Sequence, residues 1–286
     1  MLDFLNHPVP FTSFGLSSEL FAIGPFALRW YALAYIAGIL LAWAYVARML
    51  RLPGRPAEPR HIDDLVTWAT VGIILGGRLA WLIFYADWQE LGANPLMAFE
   101  IWHGGMSFHG GMVGVGLAIL LYARNHGLDG WRVVDYVATA APIGLFLGRL
   151  ANFVNGELWG RPTDGSWGII FPKDPLGAPR HPSQLYEAGL EGIALFVILG
   201  AVFWLTRARL RSGLIAGLFL LLYGVFRYGV EFVREPDAGV AILWGFTRGQ
   251  LLCLPMIAGG LVLIARGLLQ RPAAALTADE PAPAAA

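Results

Sequence analysis

In the run Gly148-Arg149-Leu150-Ala151-Asn152-Phe153-Val154-Asn155-Gly156-Glu157-Leu158-Trp159-Gly160, one arginine, two asparagines and one glutamate close an otherwise apolar stretch. Ionisable side chains at membrane depth are costly and are usually kept for function. Arg149, Asn152 and Gly156 recur at three- and four-residue spacing, so a continuing helix would set them on one face. An arginine near a span end can also snorkel to the interface, but that needs no partners like Asn155 and Glu157. A second cluster is Tyr223, Arg227 and Glu231, spaced by four, with Arg234 beyond. This stripe reads either as a structural ion pair or as an arginine held for an anionic ligand and oriented by Glu231. A third is Gly104-Gly105-Met106-Ser107-Phe108-His109-Gly110-Gly111, where glycines permit close backbone approach and His109 can exchange a proton near neutral pH. Arg78, after Gly76-Gly77, is a further cation inside a span, and Tyr31, beside Trp30, suits an interfacial belt. Residues 180–187, Arg-His-Pro-Ser-Gln-Leu-Tyr-Glu, read as a polar helix start with Glu187 in the first turn.

These charges suggest a ligand class. Arg78, Arg149 and Arg227, lacking matching carboxylates in the sequence pattern, are expected to want an anion. A phosphate suits the guanidinium fork best, and the abundant phosphates of a bilayer are lipid headgroups. The residues therefore point to a lipid-phosphate site open to the outer leaflet, which fits an enzyme and a lipid transporter alike. A transporter would often carry inverted repeats, and none is visible. A metal-dependent transferase would need clustered aspartates near the site, and the adjacent pair Asp63-Asp64 is expected on the opposite side.

The elements that must position these groups follow from composition. The 286 residues are 57% hydrophobic and 14% charged, with mean hydropathy +0.58; soluble domains carry about 25% charged residues. Formal net charge is zero, so no global field draws nucleic acid. The single cysteine, Cys253, excludes an intrachain disulfide. No Lys or Arg precedes Arg29, so a cleavable leader is not expected. Hydropathy gives seven spans, roughly 27–47, 65–85, 105–123, 133–151, 188–206, 213–232 and 250–268. Arg48, Arg51, Arg55 and Arg60, Arg124 and Arg132, Arg207, Arg209 and Arg211, and Arg266 and Arg271 all fall on one side, which is then cytoplasmic. The N-terminus is outside and the C-terminus inside. The Pro/Gly-rich segment 152–187 forms a small outer head, and the Ala/Pro-rich tail 271–286 is disordered. Gly72/Gly76, Gly110/Gly114 and Gly144/Gly148 have the spacing of close helix packing in lipid. The expected fold is an all-α integral membrane protein, one domain over 1–270, with seven transmembrane helices and a periplasmic head.

Residues 148–160 closely resemble the signature of the prolipoprotein diacylglyceryl transferases. His109-Gly110-Gly111, the 180–187 element and Tyr223-Gly224-Val225-Phe226-Arg227 are similar to further elements of that family, in the same order. The resemblance runs from about Gly24 to Arg266. It implies a multi-pass enzyme of the bacterial inner membrane with its site facing the periplasm. Its implied reaction moves the diacylglyceryl group of phosphatidylglycerol to the lipobox cysteine of a prolipoprotein signal peptide, giving a thioether and glycerol phosphate. By motif position Arg149 and Arg227 are implied to bind phosphate, with Asn152, Glu157, Gly160 and Tyr223 also at the lipid. Tyr31, His109 and Glu231 are implied in activity, His109 as one candidate base. Neither metal nor organic cofactor is implied. The expected partners are phosphatidylglycerol, signal peptides and the bilayer, with no nucleic acid and a monomeric protein.

Overall fold

The computed structural model describes residues 8–23, 26–101, 104–235 and 245–273. Long apolar runs become long helices: α1 (Trp30–Met49), α2 (Ile62–Phe84), α4 (Phe108–Asn125), α5 (Gly130–Val154), α8 (Leu214–Val230) and α9 (Arg248–Leu269), with the short α3 (Trp88–Ala93) after α2. A further continuous helix runs from α6 (Ser183–Glu187) through a π-wound segment, Ala188–Ala194, into α7 (Leu195–Leu205). Among the described residues, five helices are long and apolar enough to cross a membrane: Trp30–Met49, Pro59–Phe84, Gly130–Val154, Ser183–Leu205 and Arg248–Leu269. Leu214–Val230 is apolar but shorter. Phe108–Asn125 is diluted by His109 and by Gly110, Gly111, Gly114 and Gly116. Outward-facing Leu40, Leu75, Leu117, Val197 and Val262 are exposed, the expected pattern where lipid replaces a protein partner.

Helix α2 packs along α4, α8 along α9, and α1 along α5. Glycine makes the first contact possible. A Cβ at Gly72 would stand 2.5 Å from the Gly114 carbonyl oxygen, and one at Gly76 would strike that of Gly110. Gly144 and Gly148 differ from expectation, because a Cβ at either meets nothing. Close approach there comes instead from Gly38, whose Cβ would lie 3.2 Å from the Gly144 Cα. The buried core between the helices includes Met49, Ile119, Tyr122, Tyr136, Leu195, Phe203 and Ile215.

The arginine-rich loops gather at one end. Arg132 donates to the carbonyls of Arg209, at 3.4 Å, and Gly54, and Arg211 donates to Leu268 O at 2.8 Å. There the fully buried Asp135 of α5 accepts the Gly213 and Ala216 backbone N–H groups at 2.9 and 2.7 Å, capping α8 from another helix.

Short strands depart from the purely helical expectation. β1 (Val9–Pro10) pairs parallel with β4 (Ile169–Ile170), which pairs antiparallel with β5 (Pro179–Arg180). β2 (Glu19–Ile23) and β3 (Phe26–Arg29) form a hairpin, so the first helix begins at Trp30. The head expected over 152–187 thus also recruits the N-terminal segment. Phe11 packs with Phe153, Ile169 and Phe171, flanked by Trp159 and Leu185. Arg180 holds Asp174 through two 2.8 Å hydrogen bonds and also pairs with Glu235 at 2.9 Å. The Arg180 hydrogen bonds hold the Asp174 carboxyl below the usual carboxylate range. Most of the tail expected to be disordered, 274–286, lies outside the described residues.

Candidate active site

Four sequence elements converge where the long helices meet the head. Arg149 leaves α5 one turn before its end. Its Nε lies 3.0 Å from one oxygen of Glu187, and its Nη2 donates to Glu191 at 3.3 Å. Arg227 of α8 reaches the other oxygen of Glu187 at 3.1 Å and pairs with Glu231 at 2.7 Å. Glu187 therefore bridges the two arginines through opposite carboxylate oxygens. Arg234 stands 3.8 Å from Glu187 and 4.0 Å from Glu231. Glu187 and Glu191 are wholly buried, and Glu231 nearly so. The π-wound stretch that carries Glu191 follows Glu187 directly; such insertions in helices recur at functional sites.

The expectation of arginines without carboxylates is thereby corrected. Among the described residues, Arg149, Arg227 and Arg234 are joined to Glu187, Glu191 and Glu231, three cations against three anions. Glu187 had read as a first-turn residue and Glu191 had been missed. The available signal was a lone carboxylate inside the apolar span 188–206. Arg78 is corrected as well. It is buried, donates to the carbonyls of Ala98 (3.0 Å), Gly104 (2.7 Å), Gly105 (2.9 Å) and Met97, and stacks over Trp81. It ties down the segment between α2 and α4 and does not join the other arginines.

The signature turn after α5 is clamped from two sides. The side-chain amides of Asn152 and Asn155 donate to Glu157 Oε1 at 2.9 and 3.2 Å. Gln184 donates to the Glu157 carbonyl at 2.6 Å, and Ser183 to the Leu158 carbonyl at 3.0 Å. Asn152 thus binds Glu157 and not Arg149. Leu158 adopts φ +59°, rare for a branched residue and held here by those bonds. Gly160 is buried and bridges to Arg234, with its N–H on the His181 carbonyl at 2.8 Å. A Cβ there would collide with His181 and Val233, so Gly160 acts by close packing against backbone.

The remaining expected residues border the ion-pair cluster. Tyr223 is fully buried and stacks on Phe108, and its hydroxyl has no hydrogen-bond partner among the described residues. His109 is half-buried within the fields of Arg227 and Glu231, and its Nε2 is likewise unpartnered among the described residues. Tyr31 feels the charges of Arg149 and Glu157 and contacts the Tyr35 hydroxyl at 3.1 Å. Glu231 accepts from Thr247 Oγ1 at 2.8 Å, and a Cβ at Gly249 would press on its carboxylate. No group of three or more His, Cys, Asp or Glu suited to a metal occurs among the described residues.

The family profile described as prolipoprotein diacylglyceryl transferase matches residues 18–266, most of the chain. The chain belongs to the prolipoprotein diacylglyceryl transferase family. It is 54% identical over 274 residues to the phosphatidylglycerol–prolipoprotein diacylglyceryl transferase of Zymomonas mobilis subsp. mobilis, covering 92% of this chain and 95% of that one. Proteins of the same name from Azospirillum brasilense and Phenylobacterium zucineum are 51% and 48% identical, covering 91% and 96% of this chain and 97% and 100% of their own. Membership makes the chain a transferase, and the four elements gathered here lie inside the matched region.

Proposed function

We propose that the chain transfers the diacylglyceryl group of phosphatidylglycerol to the lipobox cysteine of prolipoproteins, using Arg149 and Arg227 to hold the departing phosphate. The observation that carries this reading is that guanidinium groups from α5 and α8 meet on the two oxygens of one carboxylate, a span one phosphate can take. The reaction breaks the C–O bond between the glyceryl carbon and the phosphate and forms a C–S bond. The thiol proton is released, and glycerol phosphate leaves with the electron pair of the broken bond. Its charge grows as it departs, and preorganised donors at such a point are often the largest catalytic contribution. A free thiol has a pKa near 8.5, so a neighbouring base or positive field must help ionise it. His109 is the proposed base. Glu231 holds Arg227, and Tyr31 and Tyr223 complete the wall of the site. Asn152, Glu157 and Gly160 serve the lipid by shaping the turn after Arg149.

In this reading α4 and α8 complete a seven-span bundle formed as one domain over 1–270, acting as a monomer in the bacterial inner membrane. The arginine-rich end faces the cytoplasm and the head faces the periplasm, with the site open to the outer leaflet. The test is purified protein supplied with phosphatidylglycerol and a lipobox peptide. A thioether peptide with released glycerol phosphate is expected, and Arg149→Ala and Arg227→Ala should abolish both. Lipid binding without product would favour a transporter and overturn the reading.

A further inference from the structure

The arginines proposed to hold phosphate already hold an anion of the protein's own. Glu187 offers one oxygen to Arg149 at 3.0 Å and the other to Arg227 at 3.1 Å. This is the two-guanidinium grip that a phosphate would use. Glu191 adds a second carboxylate on Arg149, and Glu231 a second on Arg227. Glu157, bonded by Asn152 and Asn155, brings another nearby. Glu187 is wholly buried, so water and salt screen it poorly. An incoming phosphate therefore meets a neutralised arginine set and a standing negative charge.

Coulomb repulsion scales with the charge of the ligand. The substrate phosphodiester carries one negative charge. The product phosphomonoester approaches two, because its second pKa lies near 6. Resting on the assignment of Arg149 and Arg227 to the lipid phosphate, we infer that Glu187 is a fixed negative charge beside the phosphate seat that selects against dianions, admitting the phosphodiester substrate and expelling glycerol phosphate. Glu187 is a specificity-determining and positioning residue in this scheme and takes no part in bond making. The Tyr223 hydroxyl, fully buried beside the same charges and without a hydrogen-bond partner among the described residues, is available to a phosphate oxygen while the arginines are shared.

The scaling gives a quantitative signature. If Glu187→Gln strengthens binding of the monoanionic lipid by a factor f, it should strengthen binding of glycerol phosphate by about f squared. A tenfold gain for the lipid then corresponds to about a hundredfold gain for the product. The experiment uses the purified full-length protein at pH 8. It measures glycerol phosphate as an inhibitor competing with phosphatidylglycerol and as a thermal-shift ligand, beside the KM for the lipid. The expected E187Q protein has a much lower inhibition constant for glycerol phosphate, a smaller fall in KM, and turnover limited by product release, seen as a burst. Glu191→Gln, which removes a carboxylate bonded to Arg149 alone, should move the inhibition constant the same way by less. Thus a poorly folded E187Q leaves E191Q to decide. Unchanged or weaker product binding in the better-folded variant overturns the inference, provided Arg149→Ala binds glycerol phosphate more weakly than the wild type by thermal shift. If Arg149→Ala leaves the thermal shift by glycerol phosphate untouched, the arginine assignment itself falls instead.

Discussion

Replacing Arg149 with lysine separates the catalytic demand on this residue from the structural one. Arg149 makes two contacts from one planar group, Nε to Glu187 at 3.0 Å and Nη2 to Glu191 at 3.3 Å. Lysine preserves the charge, so the balance of three cations and three anions survives and no buried carboxylate is abandoned. A single ammonium cannot reproduce the geometry of two donors on one rigid plane. The loss is then one charge-assisted hydrogen bond in the resting protein, about 1.5–3 kcal/mol. In the transition state it is one preorganised donor to the departing phosphate, about 2.7–4 kcal/mol or 100- to 1,000-fold in kcat. Alanine also removes the charge and leaves Glu187 and Glu191 short of a partner, at about 3–5 kcal/mol of stability. Initial rates of glycerol phosphate release and melting temperatures of the three proteins test this. Arg149→Lys should melt closer to the wild type than to Arg149→Ala, yet turn over at 1% or less, a level set by the same loss of one donor. A lysine variant within threefold of wild-type kcat would refute the two-donor reasoning, and one that melts with the alanine variant would refute the charge-balance reasoning.

Two further outcomes follow from groups remote from the arginines. Asp135→Ala orphans the Gly213 and Ala216 N–H groups, costing about 1–3 kcal/mol for each buried donor; Asp135→Asn should cost less, and kcat per folded molecule should not change. An unchanged melting temperature for Asp135→Ala would show that the cap contributes nothing. In the head, Arg180 holds Asp174 below the ordinary aspartate value, so the stability this gives is complete above about pH 3.9 and is lost as pH falls through the lower folded-state value. Hydrogen-exchange protection over residues 169–180, taken relative to the intrinsic amide exchange rate at each pH, should therefore fall on acidification in the wild type. In Asp174→Asn that protection should be lower at neutral pH and nearly independent of acid, and equal acid responses would remove the pair from the account.

What could be read from sequence divides along physical lines. The helices follow from apolar length, and the described boundaries differ from hydropathy mostly by a few residues. Tyr223, Arg227 and Glu231 share a stripe because spacing by four fixes a helical face, whatever the partner. The identity of that partner was not legible. Glu187 and Glu191, also spaced by four, share a face by the same rule, but that this face meets Arg149 of α5 is set by packing between helices, which local spacing does not carry. Arg78 shows the same limit. A guanidinium satisfied by the carbonyls of Met97, Ala98, Gly104 and Gly105 looks, in sequence, like one awaiting an anion. The pairing of Val9–Pro10 with Ile169–Ile170 was invisible too, since a two-residue strand carries no periodicity and its partner lies far along the chain.

The elements that resemble the family's motifs are mechanically one device. The 180–187 element gives Glu187 to the arginines, while Ser183 and Gln184 clamp the turn that follows Arg149. That turn holds Leu158 in a left-handed conformation it would not keep alone, and two residues later Gly160 bridges to Arg234. Arg234 in turn lies beside Glu187 and Glu231, closing a loop of contacts that joins α5, α6 and α8. The consequence is energetic. Desolvating guanidinium groups is costly, and here that cost falls on folding, where buried carboxylates offset it. On the proposed assignment the substrate phosphate meets donors already held in position, so reorganisation during the chemical step is small. This is the condition under which fixed charges stabilise a transition state most effectively.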